Sequence, residues 1–219
     1  MSVFVSFEGP EGSGKTTQLL ALRRYLETKG LRVYAPREPG GTRISDLVRS
    51  IVLNPEHTEM QPQTEILLFS AARAQLVGQE IQPRLARGEI VLSDRYADST
   101  LAYQGYGLGL DLDTLRAITR FATRGLVPDL TFCLDVPVGA GLMRKRGQDA
   151  AEWNRMEQRE LDYHERVRAG YLEMAHADPH RWRIVDATQP FDSIQSAIRT
   201  EVDRLLHERN RGAKSATGN

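Results

Sequence analysis

The chain predicts an α/β fold: a five-stranded parallel sheet with helices on both faces, in one domain. Three observations lead there. Short β-branched apolar runs alternate with stretches of helical periodicity through most of the 219 residues, as in strand–helix–strand crossovers. A glycine-rich loop stands directly between the first apolar run and the first helical one. The polar strings that carry chemistry each follow a strand, and open α/β sheets bind ligands beyond the carboxyl ends of their strands.

The elements follow in order. Val3–Phe7 is short, apolar and closed by glycine, a buried strand. Thr16–Lys29 places Leu19, Leu22 and Leu26 on one helical face and stops at Gly30. Leu31–Ala35 reads as the second strand, Pro36–Thr42 as a loop, and Thr42 or Ser45 as the start of a helix reaching Leu53. Asn54–Pro62 is a connection. Gln63–Arg87 is a long helical stretch that Pro83 kinks or shortens. Ile90–Ser93 is the third strand, ending at Asp94 and Arg95. A glycine-rich segment, Gly105–Gly109, precedes a helix from about Asp111 to Arg124. Leu130–Val136 and Trp182–Val185 are the fourth and fifth strands, and helices at Glu157–Ala177 and Phe191–Glu208 flank the fifth. The domain is expected to span residues 1–208, and the polar 209–219 reads as a disordered tail.

Gly9 and Gly14 frame four residues and are followed by Lys15 and Thr16, which satisfies G-x-x-x-x-G-K-[ST]. Each residue type has a task. The glycines let successive backbone N–H groups turn inward onto phosphate oxygens, and the following helix aims its N-terminus at the same anion. Lys15 brings a mobile positive charge to the β- and γ-phosphates, and the Thr16 hydroxyl suits Mg²⁺. Gly9, Pro10, Glu11, Gly12, Ser13, Gly14, Lys15, Thr16 and Thr17 therefore form the expected ATP-binding segment.

Bulk composition narrows the partners. With 29 basic and 29 acidic residues the net charge is zero, which argues against a broad footprint for nucleic acid or acidic membranes. No run approaches the ~18 apolar residues of a membrane span. The N-terminus leads straight into a strand and does not read as a signal peptide. The single cysteine, Cys133, lies in an apolar strand, so a buried structural thiol in a reducing cytosol is expected.

A phosphate loop alone does not separate GTPase, motor and kinase. No Asn-Lys-x-Asp string is present for reading guanine. The third strand ends Ser93-Asp94-Arg95-Tyr96, where Asp94 suits the Mg²⁺ water shell and Arg95 offers a planar fork to a second phosphate. Taken alone, Asp94 and Arg95 read equally as a local ion pair. Phe69 and Arg73 lie one helical turn apart, placed to stack on a base and to donate to a base carbonyl or N3. Arg37-Glu38-Pro39-Gly40-Gly41-Thr42 puts an arginine and a turn at the exit of the second strand. Asp98–Gly105 supplies hydroxyl, phenol and amide groups just beyond Arg95.

Together these strings resemble the thymidylate kinase family of bacteria. The resemblance runs from Val3 to about Leu206 and includes the phosphate loop, Arg37–Thr42, Asp94–Tyr96, Ser99–Gln104 and Asp186–Pro190. It implies a P-loop kinase fold with a small helical lid, a cytoplasmic homodimer, and Mg²⁺-dependent transfer of the ATP γ-phosphoryl group to dTMP. The products would be dTDP and ADP, on the way to dTTP. It further implies that Phe69 stacks on thymine, Arg73 bonds its O4, and Arg37 and Arg95 grip the monophosphate. By the same resemblance Tyr103 lies beneath the deoxyribose and disfavours a 2′-hydroxyl. Pro39, Ser99, Thr100 and Gln104 complete the acceptor site, Thr16 and Asp94 serve the metal, and Glu11 contacts the sugar or metal region.

Residues 142–160 carry Arg144, Arg146, Arg155 and Arg159, interrupted by the flexible, polar Gly147–Ala151. A salt-bridged helical hairpin and a mobile lid both fit that pattern. The phosphate loop holds no arginine between Pro10 and Ser13, and the resemblance is to members whose catalytic arginine lies in the lid. Arg146 is the first choice, with Arg144 and Arg155 close behind, acting with Lys15, Arg95 and Glu11. The family's lid often ends Asp-Arg-Ile-Glu, whereas this chain has Asn154-Arg155-Met156-Glu157. Two rivals remain at this point. A deoxynucleoside kinase would leave two arginines facing a bare hydroxyl, and a nucleotide switch would have no use for the arginine-rich lid.

Overall fold

The computed structural model describes residues 2–148 and 154–216. Its sheet has five parallel strands in the order β2-β3-β1-β4-β5. They are β1 (Val3–Glu8), β2 (Val33–Tyr34), β3 (Ile90–Asp94), β4 (Leu130–Asp135) and β5 (Trp182–Asp186). Between them run α1 (Lys15–Thr28), α2 (Arg43–Val52), α3 (Pro62–Leu76), α4 (Gln82–Ala86), α5 (Ala97–Thr100), α6 (Leu112–Thr123), α7 (Val138–Gln148) and α8 (Leu161–Ala177), with α9 (Phe191–Ala216) last.

Alternation along the central strand divides the core. Val3, Val5 and Phe7 face the layer of α1 and α9, where they meet Leu19, Leu22, Ile198 and Val202. Phe7 packs on Phe132 at 5.3 Å between ring centroids. Burying each such side chain contributes about 1.5–3 kcal/mol. Phe4 faces the other layer and meets Leu76, Ile81 and Tyr96. Beside it, Cys133, Trp182, Val167 and Tyr171 join β4 and β5 to α8. Cys133 is a buried free thiol, as expected.

Register positions the site. Phe7 pairs with Asp94, and Glu8 with Cys133, so β1, β3 and β4 end at nearly one level. An isolated bridge between Arg37 and Asp94 brings the loop after β2 to the same edge. The three loops converge as the parallel topology requires.

Several boundaries differ from the sequence expectation. β2 is only Val33–Tyr34, an edge strand cut short by Pro36. The stretch 63–87 is one long helical path, but Val77–Ile81 is a π-helical turn just ahead of Pro83. A wide turn relieves the clash of a proline ring with the preceding carbonyls. Gly105 and Gly107, in the glycine-rich segment, sit in a second π-helical turn, Leu101–Gly107. Glycine is needed there for packing, since a Cβ at Gly107 would lie 2.5 Å from Tyr163 Cε2 and one at Gly105 2.4 Å from Leu112 Cδ2. At the C-terminus α9 continues to Ala216, beyond the expected stop at Glu208. Arg204 pairs with Glu201 and Glu208, and Arg209 with Asp129, which carries the helix into the polar segment. Asp149–Ala151 of the expected lid, and residues 217–219 of the tail, lie outside the described residues.

Candidate active site

The phosphate loop curls tightly against β4 and α7. Gly9, Gly12 and Gly14 have φ of 133°, 65° and 83°. A Cβ at Gly12 would stand 1.8 Å from the Gly141 carbonyl oxygen. Side chains are excluded at Gly9 and Gly12 both by conformation and by space. Lys15 Nζ donates to the carbonyls of Gly9 (3.0 Å) and Pro10 (2.8 Å) and to Ser13 Oγ (3.2 Å). Burial and the neighbouring Arg95 push its pKa down to about 8, against the pull of Glu11, Asp94 and Glu8. The Thr16 hydroxyl donates to Asp94 Oδ2, joining the start of α1 to the end of β3.

Arg95 is the hub. Its backbone is left-handed, with φ 72°, and its N–H donates to the Phe7 carbonyl at 3.0 Å. Its Nη2 donates to Glu11 Oε1 (2.7 Å) and Tyr103 Oη (2.8 Å). Its Nη1 reaches the Gly9 carbonyl (3.3 Å), Ser99 Oγ (3.3 Å) and Tyr171 Oη (3.1 Å). Tyr103 also donates to Glu11 Oε1, at 2.6 Å. Burial works to raise the Glu11 pKa, but Arg95 and Lys15 outweigh it and hold the carboxyl at about 2.

Behind Arg95 lies Glu8, fully buried. It accepts from the Tyr96 N–H (2.7 Å), Ser99 Oγ (2.6 Å) and Tyr171 Oη (3.0 Å). Burial, then repulsion from Asp98, raise its pKa to about 7 despite these donors and Arg95.

A cleft opens beside this hub. Glu11, Arg37, Pro39, Arg49, Leu53, Phe69, Arg73, Arg95, Ser99, Thr100, Tyr103 and Gln104 line it, together with Asn154, Met156 and Glu157. Arg73 is 2% exposed and anchored on three sides: Nε to Glu38 Oε2 (2.7 Å), Nη1 to Thr100 Oγ1 (2.9 Å) and Nη2 to the Tyr96 carbonyl (3.1 Å). The guanidinium also lines the cleft. Gln104 Nε2 donates to Glu65 Oε1 at 2.8 Å. Half-buried Phe69 supplies an aromatic wall. One end of the cleft is thus charged and adjoins the phosphate loop, while the other is flat, apolar and tipped with directional polar groups.

Comparison with known proteins agrees with this architecture. The sequence profile described as thymidylate kinase matches residues 7–198. A thymidylate kinase of Roseiflexus sp. (strain RS-1) is 56% identical over 216 residues, covering 94% of this chain and 96% of its own. One from Herpetosiphon aurantiacus is 57% identical over 221 residues, covering 90% of this chain and 94% of its own. The crystal structure of thymidylate kinase from Ehrlichia chaffeensis superposes with a TM-score of 0.74 at 32% identity, covering 92% of this chain and 98% of its own.

The chain belongs to the thymidylate kinase family. It therefore has the P-loop fold of a nucleoside monophosphate kinase, a phosphotransferase.

In this thymidylate kinase fold all nine acceptor-side residues expected from sequence line one cleft. The lid arginines separate. Arg144 donates to the Ala187 carbonyl at 3.0 Å, and Arg146 is exposed on α7. Arg155 turns away from the phosphate loop and donates to the Val52 carbonyl (3.1 Å) and Glu65 Oε2 (2.5 Å). Sequence reasoning missed Glu8, Glu65, Tyr171 and Glu157. Glu8 ends an otherwise apolar strand, and Tyr171 looks like ordinary helical core; only the polar end at Glu8 signalled a buried carboxyl.

Among the described residues no three His, Cys, Asp or Glu side chains gather as a metal cage, and no helix is long and apolar enough to cross a membrane.

Proposed function

We propose that this protein transfers the γ-phosphoryl group of ATP to dTMP. The observation that carries the reading is Arg95, which touches the phosphate loop at Gly9 and Glu11 and the acceptor cleft at Ser99 and Tyr103. A fork in that position suits an acceptor phosphate held in line with a donor phosphate, because a guanidinium binds phosphate in a planar bidentate way. Arg37 at the cleft's charged end adds a second cation. At the other end Arg73 offers donors and Phe69 a stacking face, which fits a pyrimidine carbonyl and ring. Tyr103, bonded to Glu11 and Arg95, lines the cleft in a fixed position, which fits a floor beneath the deoxyribose that disfavours a 2′-hydroxyl.

The acceptor is already an oxyanion near neutral pH, so a strong general base is unnecessary. The protein's work is in-line positioning, charge neutralisation and exclusion of water. Lys15 and a lid arginine, Arg146 first, meet the transferring group. Mg²⁺ suits the hard oxygens of Thr16 and Asp94, which are already paired, and a small donor set is what an ion sharing phosphates and water requires. When bound it neutralises phosphate charge.

A second copy of the chain fits the exposed apolar face of α2, α3 and α6. Ile44, Leu47 and Ile51 form a stripe there, with Leu67 at 58% and Phe121 at 87% exposure beside it. A homodimer is the natural cover for a patch of this kind. A reducing cytoplasm suits the free thiol of Cys133.

The test is ADP release from ATP and Mg²⁺ with and without dTMP. Acceptor-dependent release supports the reading, and release indifferent to dTMP contradicts it.

A further inference from the structure

Gln104 lines the cleft, yet its orientation is decided behind it. A glutamine amide is ambiguous: turned one way it presents a carbonyl, turned the other an amino group. Here Nε2 is spent on Glu65 Oε1 at 2.8 Å. A carboxylate accepts and cannot donate, so the reverse amide would set oxygen against oxygen in a buried site. The amide is thereby fixed with Oε1 on the side away from Glu65, and Gln104 lines the cleft.

Glu65 is itself tightly held. It is fully buried in the first turn of α3, and its other oxygen accepts from Arg155 (2.5 Å) and Arg159 (2.8 Å). Arg155 is anchored in turn to the Val52 carbonyl at 3.1 Å. The two arginines flank Met156 and Glu157 in sequence, and these two residues line the cleft. One carboxylate thus joins Gln104 to the 155–159 segment.

We propose that Glu65 is a positioning residue for base selection: it locks Gln104 with its carbonyl oxygen toward the cleft, so the site prefers a pyrimidine protonated at N3. The inference rests on the acceptor reading given above. Arg73 donates and Gln104 Oε1 accepts, a pair that matches the O4 carbonyl and N3–H of thymine. Cytosine presents the reverse pattern, an amino group toward the guanidinium and an N3 lone pair toward the carbonyl. Leaving buried polar groups mismatched is what makes such a site discriminate.

Glu65→Gln removes the lock, because an amide there can donate to Gln104 and let it turn. The experiment compares kcat/KM for dTMP and dCMP, with ATP and Mg²⁺, in wild type and Glu65→Gln. The ratio of dTMP to dCMP should fall by about tenfold or more, mainly through KM. A purely structural loss would lower both acceptors together and leave the ratio unchanged, which overturns the proposal. Where Glu65→Gln does not fold, Glu65→Asp keeps the charge facing Arg155 and Arg159 while withdrawing the acceptor from Gln104. Its ratio should fall by about threefold or more, and an unchanged ratio again overturns the proposal. Wild type that fails to turn over dTMP contradicts the acceptor reading itself, a distinct result.

Discussion

Arg95 Nη2 lies 2.7 Å from Glu11 Oε1, an ion pair that ties the end of β3 to the phosphate loop across the acceptor cleft. Both side chains are largely buried, and Tyr103 donates to the same carboxylate oxygen. The pair fixes the position of the end of β3 relative to the phosphate loop.

Replacing Arg95 by lysine keeps the charge and removes the fork. We expect kcat/KM for dTMP to fall about 10²-fold or more, because a point charge cannot hold Glu11, Ser99 and Tyr171 at once. Steady-state kinetics at saturating ATP checks this, and near-wild-type values would remove Arg95 from the acceptor site.

The lid arginines should behave differently from one another. Arg146→Ala is expected to lower kcat by about 10³-fold with little change in KM for dTMP, as loss of a transition-state cation does. Arg155→Gln should disturb acceptor binding instead, since Arg155 is committed to Glu65 and Val52. Single-turnover kinetics separates the two, and equal effects on both parameters would contradict the division.

Two pH effects follow from the buried charges. The Lys15 pKa is near 8, and only its charged form attracts phosphate, so kcat/KM for ATP should fall about tenfold per pH unit above that value. The Glu8 pKa is raised from 4.5 to about 7, so the folded protein binds the extra proton between those values. The stability this contributes is full below 4.5 and is lost as pH rises through 7. Denaturant titration at pH 5 and 8 should show Glu8→Gln losing less stability than wild type over that interval, by on the order of 3 kcal/mol. Parallel pH profiles would contradict the assignment.

Gly107→Ala tests the packing that seats Tyr103. The added methyl meets Tyr163 at 2.5 Å and Val167 at 2.9 Å, so destabilisation of about 1–3 kcal/mol is expected. Thermal unfolding measures it, and an unchanged midpoint would mean that α8 yields easily.

Leu47→Lys should separate the proposed dimer, since it puts a charge into the middle of the α2 stripe. Light scattering would report half the wild-type mass, and a wild type already monomeric would exclude this face as a self-contact.

What the sequence revealed and what it hid divide along a physical line. The phosphate loop was legible because Gly9 to Thr16 is contiguous and each residue type answers a local need. Phe69 with Arg73 was legible because helical spacing puts them on a common face, whereas Ser99 and Tyr103 were pointed to by the family resemblance. Glu8 and Tyr171 meet across 163 residues, and Glu65 meets Arg155 across 90, so their partnership exists only once the sheet and α8 have formed. The helical place of Gly105 and Gly107 was hidden for a related reason, since it is the neighbouring helices that need the space. At α9 the polar composition past Glu208 suggested disorder, but the helix runs on to Ala216, with ion pairs on its surface as far as Arg209.

The proposed acceptor is a phosphorylated thymidine nucleotide. The direct measurement is ADP formation from ATP and Mg²⁺ with dTMP and with free thymidine, at equal concentrations. Turnover with dTMP and almost none with thymidine is the predicted result, because Arg37 and Arg95 are placed for a phosphate. Preference for thymidine would contradict the account and return both arginines to structural roles.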